Sequence, residues 1–232
     1  TPLPGLAEDW EISPDGLTYT FHLRDDVRFH DGTTFEADDV VANLEYVVDP
    51  DHHSQKAIFL LGPFDRAEAL DPRTVAIHLR EPFAPLLDSL SQVYLGMASP
   101  EALAQWGTAD YQFHQVGTGP YRFVEYVPND HLTLERNPEY AWAPTIVGRD
   151  RATFDRIVFR FFEDPATRAL ALENGDVDVL GEIPRLEAER LDPEAGRGWR
   201  ATGRDEDLVT DDGGAIAPVD HHLPVGVAPD VG

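Results

Sequence analysis

The sequence of 232 residues contains no cysteine. Disulfides, thiol nucleophiles and cysteine-ligated metals are excluded together. Lysine is nearly absent too: Lys56 stands alone beside 17 arginines. Those 18 basic residues face 43 acidic ones, for a formal net charge of −25. A polyanion repels nucleic acid and anionic lipid, so neither is expected as a partner. No apolar run reaches the ~18 residues of a membrane-spanning helix, and no secretory signal pattern opens the chain. An acid-rich, lysine-poor surface suits high salt, where screening relieves self-repulsion. The composition is that of a halophilic protein or of an acidic protein from a GC-rich gene.

What is present is enough apolar residue, 42%, for one large domain or two small ones. "LTYTFHLR" (17–24) alternates Leu17, Tyr19, Phe21 and Leu23 with Thr18, Thr20, His22 and Arg24, the pattern of a half-buried strand. Asp15-Gly16 before it is a hairpin turn, with "DWEIS" as the partner strand. "EADDVVANLEYVV" follows a second turn at Asp31-Gly32 and reads as a helix with an acidic first turn, ended by Pro50. "TVAIHLR" (74–80) is another alternating strand, and "PFAPLLDSL" a short proline-led helix. "SPEALAQWG" reads as a helix with Ser99 as N-cap, Pro100 in the first turn and Gly107 as the stop. "PYRFVEYV" and "HLTLER" make a hairpin through Pro128-Asn129-Asp130. "FDRIVFRFF" is apolar enough for a central strand. "DPATRALALENG" is a helix capped by Asp164-Pro165 and stopped by Asn174-Gly175, and "DVDVL" is expected to return as a strand, giving a βαβ-like unit. Beyond about residue 200 aromatics and periodicity vanish, and the tail reads as disordered.

Motifs with chemical potential are few. "VGTGPYRFVEY" (116–126) has the glycines of a phosphate loop but no Lys-Ser/Thr ending, and it opens a strand rather than a helix. A tight loop with φ values that only glycine tolerates is expected instead. His52-His53 and His221-His222 lack further ligands at fixed spacing and read as solvated loop residues. Glu8/Glu11 and Asp38/Asp39 read as solvated faces, and Ser89, Ser91 and Ser99 lack a nucleophile elbow. Tyr94, Trp106, Tyr111, Tyr121, Tyr126, Tyr140 and Trp142 lie near turns and element ends; most are expected to pack, and a few to line a cleft.

Five blocks then fall into one order: "LAEDWEISPDGLTYTFHLRDDVRFHDGTTFEADDVVANLEYV" (6–47), "TVAIHLREPFAPLL" (74–87), "GTGPYRFVEY" (117–126), "LERNPEY" (134–140) and "FDRIVFRFFEDPATRALALENGDVDVL" (154–180). Together they resemble the family 5 extracytoplasmic solute-binding proteins, the peptide, dipeptide and nickel-complex receptors of ABC importers. The resemblance covers about residues 3 to 190.

It implies an α/β fold with mixed sheets, of the type II periplasmic-binding-protein kind, in which two lobes close on a ligand and then dock on a membrane permease. It implies binding without chemistry and without a cofactor, in a monomer working outside the cytoplasmic membrane. Oligopeptides or dipeptides are the expected ligands; nickel complexes and oligosaccharides are the alternatives within the family, and a carboxylate-dependent hydrolase the alternative outside it. The resemblance also implies a fragment covering most of the first lobe. Residues 1–112 would be its accessory subdomain, 113–195 part of its main sheet, and 196–232 an atypical tail. It assigns ligand contact to Lys56, Tyr94, Thr118 and Tyr121. In the helix after "HDGTTF" this chain has Glu36 where the family commonly has Thr or Ser.

Overall fold

The computed structural model describes residues 2–52, 54–144, 152–183 and 185–191. Its strands are β1 (Ala7–Ile12), β2 (Thr18–Leu23), β3 (Phe64–Asp71), β4 (Thr74–Leu79), β5 (Tyr121–Val127), β6 (His131–Arg136) and β7 (Arg156–Arg160). Its helices are α1 (Ala37–Val48), α2 (Gln55–Leu61), α3 (Leu86–Leu90), α4 (Pro100–Asp110), α5 (Pro165–Asn174) and α6 (Arg185–Leu191). Two compact units account for the described residues. One holds those of Thr1–Tyr126 and Leu132–Val158; the other holds Val127–His131 and those from Phe159 onward. The fold is mixed α/β with two sheets.

The first sheet is antiparallel, in the order β1-β2-β4-β3. Its centre follows from alternation. Tyr19, Phe21 and Leu23 of β2 are buried, and the intervening residues are half-buried. Tyr19 pairs with Ile77 and Phe21 with Val75 across β4, so the apolar sets share a face. The β1–β2 turn is set by Asp15, whose carboxylate accepts from the Ser13 hydroxyl and the Leu17 amide. Helix α1 covers β3 and β4, sending Val40 and Leu44 into a core that also holds Val27, Phe29, Phe35, Leu61 and Leu86. At the start of α1 the Asp39 carboxylate accepts from the Glu36 amide at 2.7 Å. Asp39 thus meets the free amide of the N-cap residue, Glu36. The buried Asn43 side chain donates to the Asp39 and Ala98 carbonyls and accepts from the Ala98 amide. It ties α1 to the strand-like stretch before α4.

Ser99 caps α4 by accepting from Ala102. Gly107 breaks that helix with φ 65 and ψ 176, and one more helical turn follows. The proline-led helix starts later than expected, at Leu86, because Pro82 and Pro85 supply no amide donor to a helical ladder.

The second sheet has the order β5-β6-β7. Asn129 bends the β5–β6 hairpin with φ 63. Helix α5 has the expected ends: the Asp164 carboxylate accepts from the Thr167 amide, and Gly175 is left-handed. Two expectations fail in this part of the chain. The strand expected to be central, β7, is at one end of its sheet among the described residues and is mostly exposed. Residues 176–180 are not a strand. The Asp176 and Val177 amides both turn back to the Ala171 carbonyl, so the chain closes the helix rather than extending away. The tail from 196, and His53, His221 and His222, lie outside the described residues.

Candidate ligand-binding site

The four candidate contacts fall into two pairs, both within the first unit. Lys56 lies in the first turn of α2 and Tyr94 in a short 3₁₀ turn, Val93–Leu95. The fold brings them together: the Lys56 ammonium is 5.4 Å from the centre of the Tyr94 ring and 5.8 Å from that of Phe59, one helical turn on. Both distances are within the range of cation–π attraction. Both rings are open to solvent, Tyr94 at 43% and Phe59 at 76% exposure. Among the described residues no carboxylate lies within ion-pair distance of Lys56. In a chain with 43 acids that is unusual. The result is an ammonium with spare donors, set on two apolar faces.

Thr118 and Tyr121 belong to the glycine-rich segment. Thr118 is buried at 6% exposure, and the Tyr121 hydroxyl accepts from the Phe154 amide at 3.2 Å. No hydrogen bond or ring contact links this pair to Lys56 and Tyr94. The segment itself is stitched down at every residue but Thr118. The Tyr111 hydroxyl donates to the Val116 carbonyl and accepts from its amide, and the Ser99 amide donates to the same carbonyl. Burial of that hydroxyl pushes the Tyr111 pKa up. His30 holds Gly117 and Gly119, and Asn137 donates to the Gly119 and Pro120 carbonyls from its side chain and its backbone amide. The expectation about glycine here is corrected. Neither Gly117 nor Gly119 has positive φ. Their value is as bare backbone, partly or fully buried, that side chains from distant parts of the chain grip.

One cleft of about 410 Å³ opens between the 26–32 turn and residues 137–142. Asp26, Arg28, Asn137, Glu139 and Trp142 are among its lining residues. Its charges are already used. Asp26 pairs with Arg24 at 2.8 Å, and that hydrogen bond keeps its carboxyl below the usual range. Glu139 pairs with Arg122, and Arg28 donates to the Gly32 carbonyl. Asp39, the carboxyl held above its ordinary value by burial and by neighbouring acids, is engaged at the start of α1 and does not line this cleft. Among the described residues no three His, Asp or Glu side chains gather as metal ligands.

Residues 1–211 match the family described as bacterial extracellular solute-binding proteins, family 5 middle. The chain belongs to this family. The glutathione-binding protein GsiB of Pectobacterium atrosepticum is 38% identical over 187 residues, covering 81% of this chain and 35% of that protein. Among solved structures, NikZ from Campylobacter jejuni in complex with Ni(L-His) superposes with a TM-score of 0.69 at 31% identity, over 82% of this chain and 37% of that one. DppA from Helicobacter pylori in complex with the peptide STSA gives 0.70 at 31% identity, over 82% and 40%. This family 5 chain therefore spans 35% to 40% of the length of these relatives. Two parts of its candidate site escape sequence reasoning. Phe59 sits in a short apolar run whose period is ambiguous, and the grip of His30 joins residues 87 apart.

Proposed function

We propose that this chain is part of the solute-capturing component of an ABC importer. It acts outside the cytoplasmic membrane, as a monomer, on oligopeptides or dipeptides that it passes to a membrane permease. Family membership supports the importer role, and the peptide in the DppA complex supports the ligand class. On this reading residues 1–112 are the accessory subdomain and 113–195 part of the main sheet. The two sheets fall on either side of that division.

The observation that carries the ligand assignment is the unpaired Lys56 ammonium above Tyr94 and Phe59. A carboxylate flanked by an apolar side chain, as at a peptide C-terminus, meets both features at once. The ammonium supplies charge-assisted hydrogen bonds and the rings supply contact area. Thr118 and Tyr121 are assigned a supporting role near the ligand backbone. A nickel chelate with carboxylate arms is the second reading, favoured by the Ni(L-His) complex of NikZ.

The test is calorimetric titration of short peptides, and separately of nickel–histidine, into the chain and into a version carrying the remaining length of the relatives. Peptide binding by the longer version, weakened at least about tenfold by Lys56→Ala, is the expected result. Binding of nickel–histidine alone moves the assignment to the second reading. Micromolar peptide binding by the short chain, with Lys56→Ala silent, removes the role given to Lys56.

A further inference from the structure

His30 grips the glycine-rich segment with both ring nitrogens. The Gly117 amide donates to Nδ1 at 3.3 Å, and Nε2 lies 2.9 Å from the Gly119 carbonyl oxygen. The His30 backbone amide also donates to the Gly117 carbonyl at 2.8 Å. These contacts fix the proton. Nδ1 accepts, so it carries no hydrogen; Nε2 faces an oxygen, so it donates. Only the neutral Nε2–H tautomer satisfies both.

A second proton can enter only at Nδ1. It would place an N–H against the Gly117 N–H, replacing a hydrogen bond with two opposed donors. We propose that His30 is a proton-sensitive clamp on residues 117–119, closed while its ring is neutral and opened at the Gly117 contact when Nδ1 is protonated.

The surroundings lean the same way. Burial of the half-buried ring pushes the His30 pKa down, the Gly119 contact pulls it up, Arg122 on β5 lowers it and Asp31 raises it, for a net decrease. The groups facing this site are few. Asp31, in the same turn, is pushed up by burial, but bonds from the Thr33 hydroxyl and amide and from the Ser99 hydroxyl outweigh this and hold it below the ordinary carboxylate value. Its negative charge stabilises the protonated ring and so favours opening, against the effect of burial. Arg122 favours the neutral ring, although Glu139 and Asn137 share its guanidinium. Glu101 reaches the Ser99 hydroxyl at 3.3 Å, and Tyr111 holds Val116 just before the gripped glycines. Opening is therefore confined. Val116 keeps its anchors from Tyr111 and Ser99, and Gly119 keeps its bond from Asn137, while Gly117 loses the contact that its amide makes.

Thr118 and Tyr121 ride on this segment. On the functional reading given above, ligand capture weakens by the same step. The clamp itself does not depend on that reading.

The test is NMR of the full chain with ¹⁵N-labelled histidine, followed from about pH 8 to about pH 5. The His30 ring is assigned by the resonance lost in His30→Gln and, independently of how that variant folds, by its proximity to the Gly117 amide in the unaltered chain. The expected result is the Nε2–H tautomer at neutral pH and protonation below the range of the exposed histidines. The Gly117 amide shift tracks that protonation, with exchange faster by about tenfold after correction for pH. An Nδ1–H tautomer would overturn the clamp. So would protonation that leaves the Gly117 shift and exchange unchanged. Ligand titrations give the separate readout: a pH-independent affinity beside an opening clamp counts against the functional reading only.

Discussion

In the four-stranded sheet, β2 turns Tyr19, Phe21 and Leu23 into a core closed by α1, and none of the three is more than 8% exposed. In the three-stranded sheet, β7 carries a run at least as apolar, yet Val158 is 49% exposed and Phe159 37%. The difference lies in cover. The face of β2 meets Val40 and Leu44 from α1, Leu86 from α3 and the turn residues Val27, Phe29 and Phe35. None of the five residues of β7 is buried. Alternation sets which residues share a face; burial depends on what the rest of the fold brings to that face.

Substitutions in the two sheets sharpen this contrast. Phe35→Ala, at a site with no exposure, should cost about 3–5 kcal/mol, read as a fall in denaturant midpoint. Phe159→Ala should cost about 1 kcal/mol or less. Equal losses at the two positions would break the comparison. Next in size is Asn43→Ala, which leaves the Ala98 amide and two carbonyls without their side-chain partner. It should cost about 2–3 kcal/mol. Gly62→Ala should cost about 1–3 kcal/mol, because φ is +60° and an added Cβ would lie 2.9 Å from the Phe83 ring. Reducing Phe83 to leucine as well relieves the clash but leaves the part of the loss that comes from the positive φ.

A pH-dependent effect follows. Burial, the largest cause, depresses the folded-state pKa of His30, so folding favours the neutral ring. That contribution is fully present above the unfolded value of about 6.5 and is lost as pH falls from there toward the folded value. The melting temperature of the unaltered chain should exceed that of His30→Gln most at neutral pH. The gap should narrow on acidification; a gap that widens contradicts the assignment. Smallest is Val158→Thr, expected to change stability by about 0.5 kcal/mol or less.

The legible parts of the fold are those whose chemistry is local. The Asp15-Gly16 hairpin and the Asp164-Pro165 to Gly175 helix carry their own turn and cap residues, and both form as read. Strand β3 escaped because register shifts between Phe64 and Arg66, and again between Ala69 and Asp71, break its alternation. The strand expected over 176–180 had the right residues but yields to the helix-closing bonds at Ala171. Membership of the family was legible in the order of five motif blocks, and so was the fold class. The candidate site was less so. Resemblance pointed to Lys56 and Tyr94 separately; their meeting above solvent, with Phe59 as the second ring, needs the packing of α2 against the turn at Val93–Leu95. The glycines of "VGTGPYRFVEY" were read for their φ freedom, whereas their grip by His30 and Asn137 depends on chain folded from far away.

The most direct test of the account is the affinity of a tripeptide with an apolar C-terminal residue for the extended protein, measured by calorimetry beside Lys56→Ala and Tyr94→Ala and with the C-terminus free or amidated. The account predicts that amidation weakens binding to the unaltered protein by about tenfold or more and has little effect once Lys56 is removed. Equal affinity for the free and amidated peptide, with both substitutions silent, would contradict the assignment of Lys56, with Tyr94 and Phe59, as the ligand's carboxylate anchor.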